Sequence, residues 1–464
     1  MSTISPSIDS QILATQLSAL EIAGNPPEDE DVLSAIERIP NELLCEIFTL
    51  TLPCTRHVVD QTLEQPPWWL GHICQRWRAA VLENPLFWSS ITLYEPPARW
   101  MGQACPPLMI KTQLDRSGTA PLAVSFDARH DDIVGKSVDI LIEQSFRWES
   151  LHLRAGGTAV PRLCTRLQRV EGRLPMLCYL ESIGFPEYLI QKAFSTVPGL
   201  RAVVLGDDDR YALSVSPSTH FSWSRITKFR GTYDRFQDCA AMLKAVPNLV
   251  ECGITLRTVH SSDGPHVVLP HLLRLNAVGT VLNYLTAPLL QELWVSATAP
   301  TALIDFVERS SCHLRKLVVY ECSDPSALIP IFRAIPTLTT FFVAFGRTSG
   351  YMDEELLFDA FKMNAGAESA EICPNLTHIA AGGRTGFAVD SFLDMVQTRR
   401  SVGQPILSFV RVFYHDKRYM PSDALAMIEN AMPRIAEMKR EGLDAALHIG
   451  LQMSRQNYLG MGRP

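Results

Sequence analysis

The 464 residues suffice to bury a large core, and a composition of 47% hydrophobic and 20% charged residues is that of a soluble globular protein. A formal charge of −7 excludes the basic field that broad affinity for nucleic acid or an anionic membrane requires. No apolar run approaches the roughly 18 to 20 residues of a membrane span, and the start MSTISPSIDSQILATQL lacks the basic opening and apolar centre of a signal peptide. A cytoplasmic or nuclear location is therefore expected. The 11 cysteines are scattered singly through apolar contexts, as reduced thiols packed like small hydrophobes.

Residues 1–34 are polar, with an acidic cluster at Glu28-Asp29-Glu30-Asp31. Leu13, Leu17 and Leu20 are too few to offset the entropy of ordering, so the segment is expected to be disordered or loosely helical. The first firm element starts at Ile39-Pro40, with proline expected at the first helical position. Leu43, Leu44, Ile47 and Phe48 then recur at i, i+1, i+4 and i+5, which predicts one apolar helix side. Pro53 stops the helix, and a connector of about fifteen residues follows. A second helix is predicted from Pro67-Trp68, with Leu70, Ile73, Cys74, Trp77 and Val81 at helical spacing. Asn84-Pro85 turns the chain, Leu86-Phe87-Trp88 plugs it, and Ile91-Thr92-Leu93 alternates like a strand.

From about residue 105 short β-like runs alternate with helical patterns. Examples are Leu122–Phe126, Leu151–Leu153, Ala202–Leu205, Leu272–Leu275, Leu293–Val295, Leu317–Tyr320, Thr340–Val343 and Phe409–Phe413. The joint from helix to strand is stereotyped. Val197-Pro198-Gly199-Leu200, Val246-Pro247-Asn248-Leu249, Ile335-Pro336-Thr337-Leu338 and Cys373-Pro374-Asn375-Leu376 all place proline two residues before leucine, with Ser311-Cys312-His313-Leu314 as a variant. Proline ends the helix and the leucine turns into the core as the strand begins. A unit recurring every 25 to 50 residues is a solenoid signal. Ser422 to about Lys439 reads as a terminal capping helix, and Ala445–Ile449 as a final strand before a loose tail.

Residues 36–93 resemble the F-box. Ile39-Pro40-Asn41-Glu42-Leu43-Leu44-Cys45-Glu46-Ile47-Phe48 and Ile73-Cys74-Gln75-Arg76-Trp77-Arg78 match its two helical signatures, and Pro85–Leu93 is similar to the F-box end of large fungal families. Ile110–Gly118 followed by Pro121-Leu122 is similar to a segment that follows the F-box in those families. The remainder resembles degenerate leucine-rich repeats in rhythm, so the expected chain is α/β: a small N-terminal helical F-box (35–93), then a curved leucine-rich-repeat-like solenoid (94–464) with a parallel sheet and outer helices. The F-box resemblance implies a role as well, the substrate-recognition subunit of an SCF-type cullin–RING ubiquitin ligase. Ile39, Pro40, Leu43, Leu44, Ile47, Phe48, Cys74, Trp77 and Arg78 would bind a Skp-type adaptor, which brings cullin and RING subunits, while the repeats bind a protein client. The alternative is a scaffold that binds the adaptor without directing ubiquitylation. Independently, Trp68, Trp69, Trp77, Phe87 and Trp88 are more aromatic surface than so small a module needs for its own core.

Other constellations have plainer readings. Cys54-x-x-His57 and His72-x-Cys74 lack the paired ligands of a tetrahedral metal site, and the signature places Cys74 in an apolar interior. Asp207-Asp208-Asp209 reads as a solvated loop, and Gly382-Gly383-Arg384-Thr385-Gly386 as a flexible turn rather than a phosphate nest. No nucleophile elbow or catalytic triad is visible. No metal, cofactor or catalytic role is expected.

Overall fold

The computed structural model describes residues 36, 38–52, 67–94, 107–128, 136–155, 160–185, 192–206, 223–257, 264–296, 300–346, 349–362, 372–383, 387–402, 407–414 and 422–449. The expectations for residues 1–34, the connector with Cys54 and His57, Asp207–Asp209, Arg384–Gly386 and the tail lie outside these.

The chain is α/β. In sequence order its helices are α1 (Asn41–Thr51), α2 (Gln75–Glu83), α3 (Pro107–Ser117), α4 (Lys136–Glu143), α5 (Val160–Leu167), α6 (Phe236–Ala245), α7 (Pro300–Ser310), α8 (Ile329–Ala334), α9 (Tyr351–Phe361), α10 (Val389–Val402) and α11 (Ser422–Arg440). The strands are β1 (Ser90–Tyr94), β2 (Leu122–Ala128), β3 (Trp148–Ala155), β4 (Tyr179–Ile183), β5 (Ala202–Leu205), β6 (Lys228–Tyr233), β7 (Glu251–Leu256), β8 (Val267–Val268), β9 (Arg274–Val278) and β10 (Leu285–Thr286). They continue with β11 (Glu292–Ser296), β12 (Lys316–Cys322), β13 (Thr340–Phe345), β14 (His378–Gly383), β15 (Phe409–Tyr414) and β16 (Asp444–Ile449). Among the described residues no helix is long and apolar enough to cross a membrane.

Fourteen strands form one parallel sheet whose spatial order is the sequence order; β8 and β10 pair apart from it. Successive strands of the sheet start 18 (residues 274 to 292) to 38 (residues 340 to 378) residues apart, a shorter period than the joints alone suggest. The expected runs at 122, 151, 202, 293, 317, 340 and 409 fall within strands, and β4, β6, β7 and β14 add strands beyond them.

One register row explains the alignment. Ile91, Val124, Leu151, Leu180, Val203, Phe229 and Cys252 lie side by side, followed by Leu275, Leu293, Leu317, Phe341, Ile379, Val410 and Ala445. None of them is more than 3% exposed. Because side chains alternate along a strand, a slip of one residue would turn this whole row out of the core. The row packs against helix residues such as Leu141, Leu163, Phe306, Phe358 and Phe392, so the helices cover one face.

The joints stack as well. In three of these turns the leucine N–H donates to the carbonyl three residues earlier: Leu200 to Val197 (3.5 Å), Leu338 to Ile335 (3.2 Å) and Leu376 to Cys373 (3.2 Å). Leu269-Pro270-His271-Leu272 and Ala287-Pro288-Leu289-Leu290 make the same turn, at 3.3 and 3.2 Å. Ser311 at the proline-free joint leaves α7 through a left-handed φ of 47°. The residue after each leucine then offers its carbonyl to two N–H groups of the next unit. Cys178 accepts from Arg201 and Ala202, Arg201 from Thr227 and Lys228, Arg315 from Thr339 and Thr340, and Thr377 from Ser408 and Phe409. This satisfies backbone groups that a buried joint would otherwise strand.

Arginines brace adjacent units. Buried Arg147 donates to the carbonyls of Gly118 (2.6 Å) and Ala120 (3.1 Å), Arg309 to those of Leu282 (2.6 Å) and Leu285 (2.9 Å), and Arg399 to those of Phe361 (2.8 Å), Cys373 (3.0 Å) and Ile372. Gly382 and Gly383 lie in β14, not in a turn, paired with Phe413 and Tyr414. A Cβ on Gly382 would stand 2.5 Å from the Phe413 carbonyl oxygen, so glycine there serves close strand approach. After α11, β16 forms the last edge of the sheet beside β15.

Candidate functional site

The helical module that precedes β1 has its own small core. Leu44, Phe48, Leu70, Ala80, Val81, Phe87 and Trp88 are buried together, with Ile39, Cys45, Leu52, Trp68, Trp69 and Trp77 partly buried against them. Trp77 lies on Phe48 with ring centroids 4.6 Å apart, Phe87 is 6.2 Å from Phe48, and Trp68 meets Trp88 edge-on at 4.9 Å. The indole N–H of Trp88 donates to the Val81 carbonyl at 2.8 Å, so the buried ring leaves no polar atom unpaired.

The first helix departs from its expected pattern in a way that matters. Leu44 and Phe48 are each 1% exposed, whereas Leu43 is 50% and Ile47 44% exposed. At about 100° per residue the four span an arc of roughly 140° on one side of the helix, and packing buries only its Leu44/Phe48 edge. Pro40, Leu43, Ile47 and Leu50, at i, i+3, i+7 and i+10, form a separate exposed apolar stripe. Pro40 is the residue before the helix, not its first: it is extended (φ −54°, ψ 149°), and its carbonyl accepts the Leu44 N–H at 3.0 Å.

The second helix starts later than its apolar spacing suggests. Residues 69–72 form a 3-10 turn, and α2 begins at Gln75. Cys74 is extended (φ −154°, ψ 169°) and exposed; its Sγ accepts the Trp77 N–H at 3.4 Å and caps α2. An apolar interior for Cys74 is thus corrected: extended backbone at a helix start turns its side chain to the surface. Arg78 is exposed and braces the preceding turn, its Nε donating to the Gly71 carbonyl at 2.7 Å. Arg76 plays a similar part between the helices, donating to Asn41 Oδ1 (3.0 Å) and to the carbonyls of Ile36 (3.4 Å) and Ile39.

The nine residues singled out in the sequence therefore divide. Leu44 and Phe48 are core, Ile39 and Trp77 line it, Arg78 is a brace, and Pro40, Leu43, Ile47 and Cys74 face outward. Sequence reasoning missed Leu50 (86% exposed), though its spacing from Leu43 and Ile47 was legible. It also missed Leu82, exposed on the same module; Leu86, read as part of the apolar plug, and Ile73, read on the apolar side of the second helix, are exposed as well, and only Phe87 and Trp88 fill the plug. The module is seated on the repeats through Arg116 of α3, whose guanidinium lies over the rings of Trp68 (5.1 Å) and Trp88 (4.3 Å).

The sheet face away from the helices is the second candidate surface. Lys228 and Arg274 both pair with Glu251, at 3.2 and 3.1 Å. Further toward β1, Glu181 is buried between His152 (3.3 Å), Arg154 (2.9 Å) and the Tyr179 hydroxyl (2.9 Å). Burial raises the Glu181 pKa, but the hydrogen bond and charge of His152 and then Arg154 outweigh it and hold the carboxyl at about 2.

Among the described residues no group of three His, Cys, Asp or Glu side chains could hold a metal ion; His72 and Cys74 have no third partner. Six of the described cysteines, including Cys252, Cys322 and Cys373, are core residues. Burial pushes the thiols of Cys322 and Cys373 up to about 12, so they are not nucleophiles. Neither a scan against protein-family models nor a search of the curated proteins finds a match to the chain.

Proposed function

We propose that this chain is the substrate-recognition subunit of an SCF-type cullin–RING ubiquitin ligase. Residues 35–93 are an F-box-like module that docks a Skp-type adaptor, and residues 94–464 are a leucine-rich-repeat-like solenoid that holds a protein client. The observation that carries the reading is the apolar stripe Pro40, Leu43, Ile47 and Leu50, left outside a module whose own core is already filled by Leu44 and Phe48. A helix with a second, unburied apolar stripe is built for a partner groove. The sequence signature supplies the identity of that partner. A parallel sheet in strict sequence order, with helices on one face, suits a solenoid that offers its other face to a client.

In this role the chain makes and breaks no bonds; it brings client and ubiquitin-transfer machinery together. The test is affinity purification of the tagged chain from its own cells. Adaptor, cullin and RING subunits should co-purify, and a client protein should accumulate when the chain is lost. Adaptor without cullin would favour the scaffold instead, and absence of the adaptor would sink both.

A further inference from the structure

The sheet face opposite the helices carries a second apolar cluster: Trp294, Val318, Tyr320, Phe342, Ala380 and Phe413, built from strand residues alone. A bulge in β12 shapes its rim. The register shifts between Val319 and Cys322, and Glu321 adopts a left-handed φ of 50°. Tyr320 belongs to this cluster on the helix-free face, whose members are no more than 7% exposed, and the bulge turns Cys322 into the helix-side core.

Lys316 stands at the edge of this cluster, between Glu292 and Thr340 in register. The residue is 8% exposed, and its ammonium lies 5.3 Å from the Trp294 ring centroid and 5.6 Å from that of Phe342. Several cations on this face have carboxylates: Lys228 and Arg274 share Glu251, and Arg411 meets Asp444 at 2.8 Å; Arg230, like Lys316, has no ion pair among the described residues. Burial pushes its pKa down, opposed by Glu292, which acts from beyond ion-pair distance. His378 is the other titratable group nearby, and Lys316 acts on it as a like charge. A desolvated ammonium held by two rings and lacking an anion has its desolvation already met, so an incoming carboxylate gains a charge-assisted hydrogen bond cheaply. Beside it, the half-buried rings of His378 and Phe409 stack at 5.4 Å, and Phe409 lies 6.3 Å from Phe342.

We propose that Lys316, framed by Trp294 and Phe342, is the acid-reading point of the client site. It takes a glutamate or aspartate side chain of an unmodified client peptide, whose apolar neighbour lies along His378 and Phe409. This rests on reading the repeats as a client receptor. The test needs no adaptor, so failure of adaptor docking and failure of this site are separate results.

The experiment is selection of a random peptide library, displayed on phage, against the full-length chain, repeated with Lys316→Met, Lys316→Gln and Lys316→Glu. The native chain should enrich peptides with an acidic residue next to an aromatic or aliphatic one. A selected peptide, made synthetically, should bind Lys316→Met and Lys316→Gln roughly 10- to 100-fold more weakly, and Lys316→Glu should enrich basic peptides instead. Unchanged thermal unfolding of at least one neutral variant establishes that the fold is intact. Acid preference that survives in that variant would overturn the proposal. So would selection of no acidic motif by the native chain, or Lys316-dependent binding confined to phosphoserine peptides on an array.

Discussion

Trp77 of α2 rests on Phe48 of α1 with ring centroids 4.6 Å apart and planes tilted by 59°, and this contact ties the two helices of the N-terminal module together. It also separates two roles that the sequence signature merges. Phe48→Ala should destabilise the module by about 3 to 5 kcal/mol, because a buried ring leaves a cavity. Leu43→Glu with Ile47→Glu should change stability by less than about 1 kcal/mol, since both side chains lie at the surface, outside the module's core. Hydrogen exchange of amides in 41–51 and 75–83 reads the difference: protection should collapse in the first variant and persist in the second. Equal loss in both would mean that Leu43 and Ile47 support the fold.

Arg399 is 3% exposed and donates to three carbonyls on the preceding unit. Arg399→Ala strands those acceptors and should cost on the order of 3 to 5 kcal/mol. Arg399→Lys should recover less than half of that, because a single ammonium cannot reproduce the planar fork. Urea unfolding measures both, and full rescue by lysine would show that charge alone matters there.

The Glu181 carboxyl has a folded pKa of about 2 against an ordinary 4.5. A depressed carboxylate pKa stabilises the fold above the unfolded pKa and loses that contribution as pH falls through the folded one. Native protein should therefore exceed Glu181→Gln in stability by on the order of 3 kcal/mol at pH 7, with the gap narrowing from about pH 4.5 toward pH 2. A gap that does not change over this range would remove the carboxylate from the explanation.

Gly382→Ala should destabilise through β14 and β15, since its Cβ would lie 2.5 Å from the Phe413 oxygen and 2.7 Å from the Phe413 Cβ. A cost of about 1 to 3 kcal/mol is expected from such overpacking. Gly118→Ala meets no atom but sits at φ 53°, so its cost should be conformational and smaller, near 1 kcal/mol. Thermal unfolding of the two variants checks the order, and the reverse order would contradict the close strand approach.

The alternation of helix and strand was plain from residue 105 onward, because apolar runs such as Leu317-Val318-Val319-Tyr320 are buried on both faces and read as continuous. β4, β6, β7 and β14 were harder to see. Glu181, Arg230, Glu251 and His378 project from them to the helix-free face, and Gly231, Gly253 and Gly382 dilute their β-propensity. The joints at Pro270 and Pro288 repeat the x-Pro-x-Leu pattern and were legible by the same rule. In the N-terminal module, spacing located both helices but did not separate inward from outward apolar residues. Two stripes one residue apart, Leu44/Phe48 and Leu43/Ile47, look like one wide stripe until packing chooses between them. Lys316 had no sequence signal of its own, since its lack of a partner depends on which side chains the register brings beside it.

The most direct test of the proposed role is calorimetric titration of the full-length chain with a Skp-type adaptor. A one-to-one complex should form, and Leu43→Glu with Ile47→Glu should weaken it by at least about 30-fold while the thermal unfolding of the chain stays unchanged. No binding by the native chain, or undiminished binding by the double variant, would contradict the assignment of the Pro40–Leu43–Ile47–Leu50 stripe as the docking surface.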